Sequence, residues 1–333
     1  MGGGSGGREE AGIFAGARSQ ASPVKRQPAV ASEPVTSQND AHGRADWIAD
    51  ENWSGGMRAE VCTVKVLATA DIHQRRGKLD SLAAAVSKEN PDVVALNGDT
   101  LDVGGTYQHQ VSVAECAQRL ANLAACDLVI VRGNHEDENW NQFLVAWPIK
   151  SRRLTLLHGS CFHHGPLVVL GFPCLLGDQV PFEDSIGTVV VETPPPLLDR
   201  PAEIDTWLPK IIHAHGPASR ALWLMHEPPS GTPLSTPFGP VSGNPEWVGA
   251  IARFSPQLVL CGHDHVTPMK NRHWHCRIRD TLCVNVGQDD SDGLCFAVVE
   301  MTFPRRTACL PTKTVVRAYP WGESATLLPD PRL

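Results

Sequence analysis

A mixed, layered α/β fold is predicted by three features of the chain. Short apolar runs rich in β-branched residues end abruptly at polar clusters, as buried strands do. Amphipathic stretches separate the early runs, which implies parallel pairing through right-handed crossovers. The later runs lie closer together, as in hairpins.

Residues 1 to about 57 are rich in Gly, Ser, Ala, Gln and charge, and show neither a helical nor a strand period. They read as a disordered or loosely packed extension, with Trp47 and Trp53 as anchors if it docks. From Val61 the texture changes. Strands are expected at Val61 to Thr69, Val93 to Leu96, Leu128 to Val131, Leu154 to Leu157 and Leu167 to Gly171. Further strands are expected at Ala221 to Met225, Leu258 to Cys261, Thr281 to Asn285 and Phe296 to Met301. Between them lie helices at Lys78 to Glu89, Val113 to Ala125 and Ile204 to His215; in the first, Leu79, Leu82, Ala83 and Val86 share one face. This gives a main domain over 58–305, followed by a C-terminal strand and tail over 306–333. Two connections are long and turn-rich, Leu175 to Arg200 and Glu227 to Trp247, and long loops in a compact domain tend to carry function. No period of the solenoid or propeller kind recurs.

Composition narrows the classes. A net charge of -7 gives no global basic field, which argues against a duplex-wide nucleic-acid footprint. The 10 cysteines are scattered singly, several inside apolar runs, and none forms a C-x-x-C pair, so they read as buried free thiols of a reducing compartment. The N-terminus lacks the apolar core of a secretory signal, no stretch is long and apolar enough to span a bilayer, and Gly6 stands where a myristoyl motif wants Ser or Thr. A cytoplasmic protein is expected.

Five of the strands end on a potential metal ligand: Asp71-Ile72-His73, Gly98-Asp99, Gly133-Asn134-His135-Glu136, His226 and Gly262-His263-Asp264-His265. Ligands collect beyond the carboxyl ends of strands in an open α/β sheet, so these groups can meet at one rim. Two aspartates, an asparagine and four histidines offer oxygen and imidazole donors without a thiolate, a set that suits Mn, Fe or Zn. Seven donors exceed what one four-coordinate ion takes, and suit two ions sharing a carboxylate. Gly98, Gly133 and Gly262 each precede a ligand, where a missing Cβ allows a sharp turn and a close approach of an anionic substrate.

The order D-x-H, G-D, G-N-H-E, H, G-H-x-H resembles the calcineurin-like metallophosphoesterase superfamily, over Val61 to roughly Met301. The resemblance implies a four-layer α-β-β-α sandwich of two mixed sheets and hydrolysis of phosphoesters by a metal-bridging hydroxide at a dinuclear centre, with Mn favoured and Fe or Zn possible. It implies one ion on Asp71, His73 and His265, a second on Asn134, His226 and His263, and Asp99 between them. His135 is then expected to assist the leaving group, oriented by Asp102, a pair that keeps the imidazole protonated enough to donate. Glu136 reads as a hydrogen-bond acceptor behind the ligands.

Other residues take simpler readings. His213 and His215 complement the carbonyl pole of a helix, His163 and His164 mark a turn, and His273-Trp274-His275 lies on a polar hairpin. Arg132 reads as a strand-end charge in solvent. Protein phosphatases of the superfamily carry Arg directly after the second Asp, where this chain has Val103, and purple acid phosphatases carry a tyrosine ligand where it has Asp102. A small-molecule or nucleotide phosphoester is the expected substrate. A nuclease using Lys150, Arg152 and Arg153 as a patch is the alternative within the same chemistry, and a silent protein-binding scaffold is the alternative outside it.

Overall fold

A computed structural model describes residues 61–102, 109–123, 126–136, 139–148, 154–174, 204–235, 243–288, 291–304 and 310–327. The N-terminal extension, Val103, the Lys150, Arg152 and Arg153 patch, the Leu175 to Arg200 connection and 236–242 of the later loop lie outside the described residues.

Thirteen described strands form two mixed sheets. In the first, β1 (Val61–Thr69), β2 (Val93–Asn97), β3 (Asp127–Val131) and β4 (Leu154–Leu157) run parallel. On the other side of β1 an antiparallel meander is added by β11 (Phe296–Pro304), β12 (Lys313–Tyr319) and β13 (Glu323–Leu327). In the second sheet, β6 (Leu167–Phe172), β7 (Leu222–Met225), β8 (Leu258–Leu260) and β10 (Thr281–Val284) are parallel. Antiparallel β5 (Ser160–His164) and β9 (His275–Ile278) flank them.

Strand alternation builds the layers. In β1, Val64, Val66 and Ala68 face the second sheet and pack with Val169, Leu224 and Leu260 in a core between the sheets. Leu67, one residue out of phase, joins Val94, Leu96 and Ile130 on the outer face. That face is covered by α1 (Arg76–Glu89), α2 (Val113–Ala121) and α3 (Trp140–Ala146) through Leu82, Val86, Leu120 and Phe143. On the far side, α4 (Ile204–His215) and α5 (Pro245–Phe254) bring Leu208, Trp247 and Ile251 onto Phe172, Trp223 and Val259. The result is the α-β-β-α order, with both faces buried along central strands such as β2, β6, β7, β8 and β10.

Local chemistry sets the helix ends. Ser112 caps α2 by accepting from the Glu115 amide at 3.1 Å, and Asn244 caps α5 by accepting from Glu246 at 2.9 Å with Pro245 at the first helical position. A short α6 (Val266–Asn271) follows the last ligand motif, its first amides held by Asp264. No helix among the described residues is long and apolar enough to cross a membrane.

Several expectations need correction. His163 and His164 lie in β5, not in a turn, and His164 Nδ1 sits 2.8 Å from Asp127 Oδ2. The loop from Glu227 ends earlier than expected, because Trp247 already lies within α5. Arg132 is buried, not solvent-borne: β6 and the chain after it pack over the end of β3, where the Cys174 amide donates to the Arg132 carbonyl at 2.9 Å. None of the nine described cysteines is in a disulfide; seven are buried as expected, and Cys62 and Cys276 are half-buried.

Candidate metal centre

The ligand loops leave the carboxyl ends of β1, β2 and β3 in one sheet and of β7 and β8 in the other. The site therefore sits where the rims of two sheets meet, not at one rim as the sequence suggests. His226 Nδ1 bridges the gap, donating to the Asn97 carbonyl at 2.8 Å. A carbonyl only accepts, so this bond fixes the ring with Nε2 toward the other ligands.

Two nests of donor atoms result. In one, Asn134 Oδ1 lies 3.0 Å from both His226 Nε2 and His263 Nδ1, these two nitrogens are 3.2 Å apart, and Asp99 Oδ2 is 3.3 Å from His226 Nε2. In the other, His265 Nε2 lies 3.2 Å from Asp71 Oδ1 and 3.4 Å from His73 Nε2. Asp99 Oδ2 stands between them, 4.0 Å from His73 Nε2. A tetrahedron with bonds of about 2.0 to 2.1 Å has edges of roughly 3.3 Å, so each nest has the spacing of a divalent-ion shell. Asp71, His73 and His265 form one set able to hold a metal, Asp99, His226 and His263 another, and His73, Asp99 and His135 a third that overlaps both. The residues present fit a pair of cations.

Charge tells the same story. Burial pushes the Asp71 carboxyl upward, but the His265, His226 and His73 imidazoles outweigh it and hold the group below the ordinary carboxylate range. Asp99 is lowered in the same way, burial opposing and His226 prevailing. His226 is raised to about 10 against its own burial, chiefly by Asp99, whereas burial and the neighbouring His226 lower His263 to about 4. Two buried carboxylates thus hold positive charge close by.

The backbone is bent to make this possible. Asp71, His73, Asp99 and His263 all have positive φ, between 49° and 66°, each costing on the order of 1–3 kcal/mol. Compensating hydrogen bonds run from the Asp71, His73 and Gln74 amides to the Gly98, Asp99 and Thr100 carbonyls. The glycines serve packing more than substrate approach. A Cβ on Gly133 would lie 2.1 Å from Asp99 Oδ1, and one on Gly98 would lie 2.3 Å from His226 Nδ1.

Behind the ligands, Glu136 is fully buried and accepts from the amides of Asp99, Thr100, Leu101 and Gly133. One carboxylate thereby clamps the loop after β2 to the loop after β3. Burial and the nearby Asp99 charge raise it to about 7. His135 stands at the edge: its amide donates to Asp99 Oδ1 at 2.9 Å and its Nδ1 lies 2.9 Å from Asp102 Oδ1. The same Asp102 oxygen is 3.6 Å from His73 Nδ1.

All seven expected ligands, with His135 and Asp102, are thus brought together. His213, His215 and His273 belong to none of the donor sets. Sequence reasoning missed Gln110, whose Nε2 donates to Asp102 Oδ2 at 2.7 Å and to the His73 carbonyl at 3.0 Å. It also missed Gln74, whose Oε1 accepts from the Asp102 amide at 3.0 Å, and Asn285, whose Nδ2 donates to the Gly262 and Asp264 carbonyls at 3.1 Å. Gln74 adjoins a ligand and was the one open to suspicion.

Residues 64–267 match the family model described as calcineurin-like phosphoesterase. No curated protein sequence matches the chain. Among solved structures, a dimetal phosphatase from Danio rerio is 15% identical, with a TM-score of 0.51 over 80% of this chain and 98% of that one. Yfce, a phosphoesterase from E. coli, is 12% identical, with a TM-score of 0.36 over 80% of this chain and 100% of that one. An archaeal phosphodiesterase is 11% identical, with a TM-score of 0.36 over 80% of this chain and 100% of that one.

Proposed function

Because this chain belongs to the calcineurin-like phosphoesterase family, we propose that it hydrolyses phosphomonoester or phosphodiester bonds at a pair of divalent cations. The observation that carries the reading is the pair of donor nests with Asp99 Oδ2 standing between them. Asp71, His73 and His265 would hold one ion, Asn134, His226 and His263 the other, and Asp99, whose Oδ2 lies between the two nests, would be shared. Such a pair supplies Lewis acidity, making a water nucleophilic near neutral pH and neutralising phosphoryl charge. The donor set suits Mn, with Fe or Zn as substitutes.

The chain's own groups do the rest. Asp102 takes the Nδ1 proton of His135 as a hydrogen bond and so sets the ring plane. His135 Nε2, the other ring nitrogen, then faces the centre, 4.0 Å from Asp99 Oδ2, where it can give a proton to the departing oxygen. The Asp99 contact to the His135 amide keeps acid and bridge in register. Val103 in place of the phosphate-gripping arginine supports a small-molecule or nucleotide ester over a phosphoprotein.

The test is turnover of 4-nitrophenyl phosphate and bis(4-nitrophenyl) phosphate by Mn-loaded protein. Cleavage of at least one is expected, abolished by chelation; cleavage of neither would overturn the reading.

A further inference from the structure

The second sheet carries a thiol pair that the phosphoester chemistry does not use. Cys276 on β9 and Cys283 on β10 are directly opposed antiparallel partners. Opposed residues share a face, with Cα atoms about 4.5 to 5.5 Å apart, inside the roughly 4.4 to 6.8 Å that a disulfide spans. Both side chains pack on the α5 side of the sheet, Cys283 fully buried and Cys276 half-buried on the outermost strand. No other two cysteines are opposed in the strand pairings of the described residues. The neighbouring Cys261 is engaged elsewhere, its Sγ donating to the Val284 carbonyl at 3.2 Å.

We propose that Cys276 and Cys283 form a modification site at which a low-molecular-weight disulfide of the glutathione type is reduced and a cross-strand disulfide is made. The two thiols differ in the way such an exchange requires. Hydrogen bonds from Cys283, and secondarily from Thr232, hold the Cys276 thiol below its ordinary value despite partial burial. Cys283 is pushed up by that same partner and by burial. Cys276 is therefore the attacking thiolate. Its sulfur bonds to one sulfur of the reagent and expels the other half as a thiolate. Cys283 then attacks Cys276 Sγ, and the second half leaves as a thiolate that takes up the Cys283 proton. Two cysteine thiols are oxidised and one reagent disulfide becomes two thiols. The bond closes a ring over the β9–β10 hairpin and pins the free edge of the sheet.

The full chain is incubated with oxidised glutathione, alkylated, and digested with trypsin without reduction. Cleavage after Arg272, Arg277 and Arg279 separates the two cysteines, so the expected product is His273–Arg277 joined to the peptide that begins at Asp280, with Cys283 as its linked residue. Cys276→Ser should abolish the joined species and leave Cys283 alkylated, whereas Cys62→Ser should not change its yield. Slower amide exchange in β9 of the oxidised chain gives an independent signature. Full alkylation of Cys276 after oxidation, or a stable glutathione adduct on it beside a free Cys283 thiol, would overturn the proposal.

Discussion

Asp102 faces two histidines of different duty, His135 at 2.9 Å and His73 at 3.6 Å, and Gln110 holds its second oxygen. Removing His135, the proposed leaving-group acid, should therefore differ from removing its partner. His135→Ala is expected to lower kcat by about 10²- to 10⁴-fold with metal content unchanged. Asp102→Asn should slow turnover similarly, add little on top of His135→Ala, and by itself weaken metal binding through His73; rates and metal analysis on the two single variants and the double variant decide this. Asp99→Asn should lose both activity and one equivalent of metal, and a variant that keeps both would point to a scaffold. The seven donors were legible because each follows closely on a buried strand, and three of them, Asp99, Asn134 and His263, stand beside a glycine. Gln110 was not, because it follows no strand and its contacts to Asp102 and to the His73 carbonyl exist only once the loops have folded together.

Glu136 shows what the elements ask of one another. Its carboxylate accepts amides from the loops after both β2 and β3, so Glu136→Gln, which swaps one acceptor oxygen for a donor facing amides, should cost roughly 3 kcal/mol. Urea titration of metal-free protein measures it, and a loss under about 1 kcal/mol would refute the clamp. His158, at the end of β4, gives an acid limb. Burial, and then the Arg132 charge, lower it from 6.5 to about 4, and its Nε2 has no hydrogen-bond partner among the described residues. The unfolded chain takes up the proton near pH 6.5 and the folded one only near pH 4. Its contribution is thus complete above pH 6.5 and falls as the pH drops through that window, by at most about 3 kcal/mol. His158→Phe should flatten the slope of stability between pH 6.5 and 4. Continuous apolar strands such as β2 and β6 were readable because both their faces are covered. Ser160–His164 was not, since its polar residues look like a turn until the pairing with β6 is known. The Asn244-Pro245-Glu246 start of α5 was a readable cap, hidden by the Pro, Gly and Ser around it.

Across the molecule, the candidate ligands come from both sheets, so cations bound there would join the two halves of the sandwich. Metal at 100 times its dissociation constant should add about 2.7 kcal/mol, or roughly 5–10 °C in Tm, lost on adding a chelator. Scanning calorimetry with and without Mn reads this directly, and no shift would mean that the nests do not bind. The layered α/β character could be read from strand and helix alternation, and the ligand order pointed to the four layers. That β1 pairs with β11, joining Val64 to Met301, has no local sign in either segment. This pairing has a consequence for biosynthesis. During translation the earliest strand can find its parallel neighbour β2 quickly, yet one of its edges stays bare until more than two hundred further residues have emerged. Nascent chains halted before β11 are then the species most prone to join one another edge to edge, and the most dependent on chaperone cover.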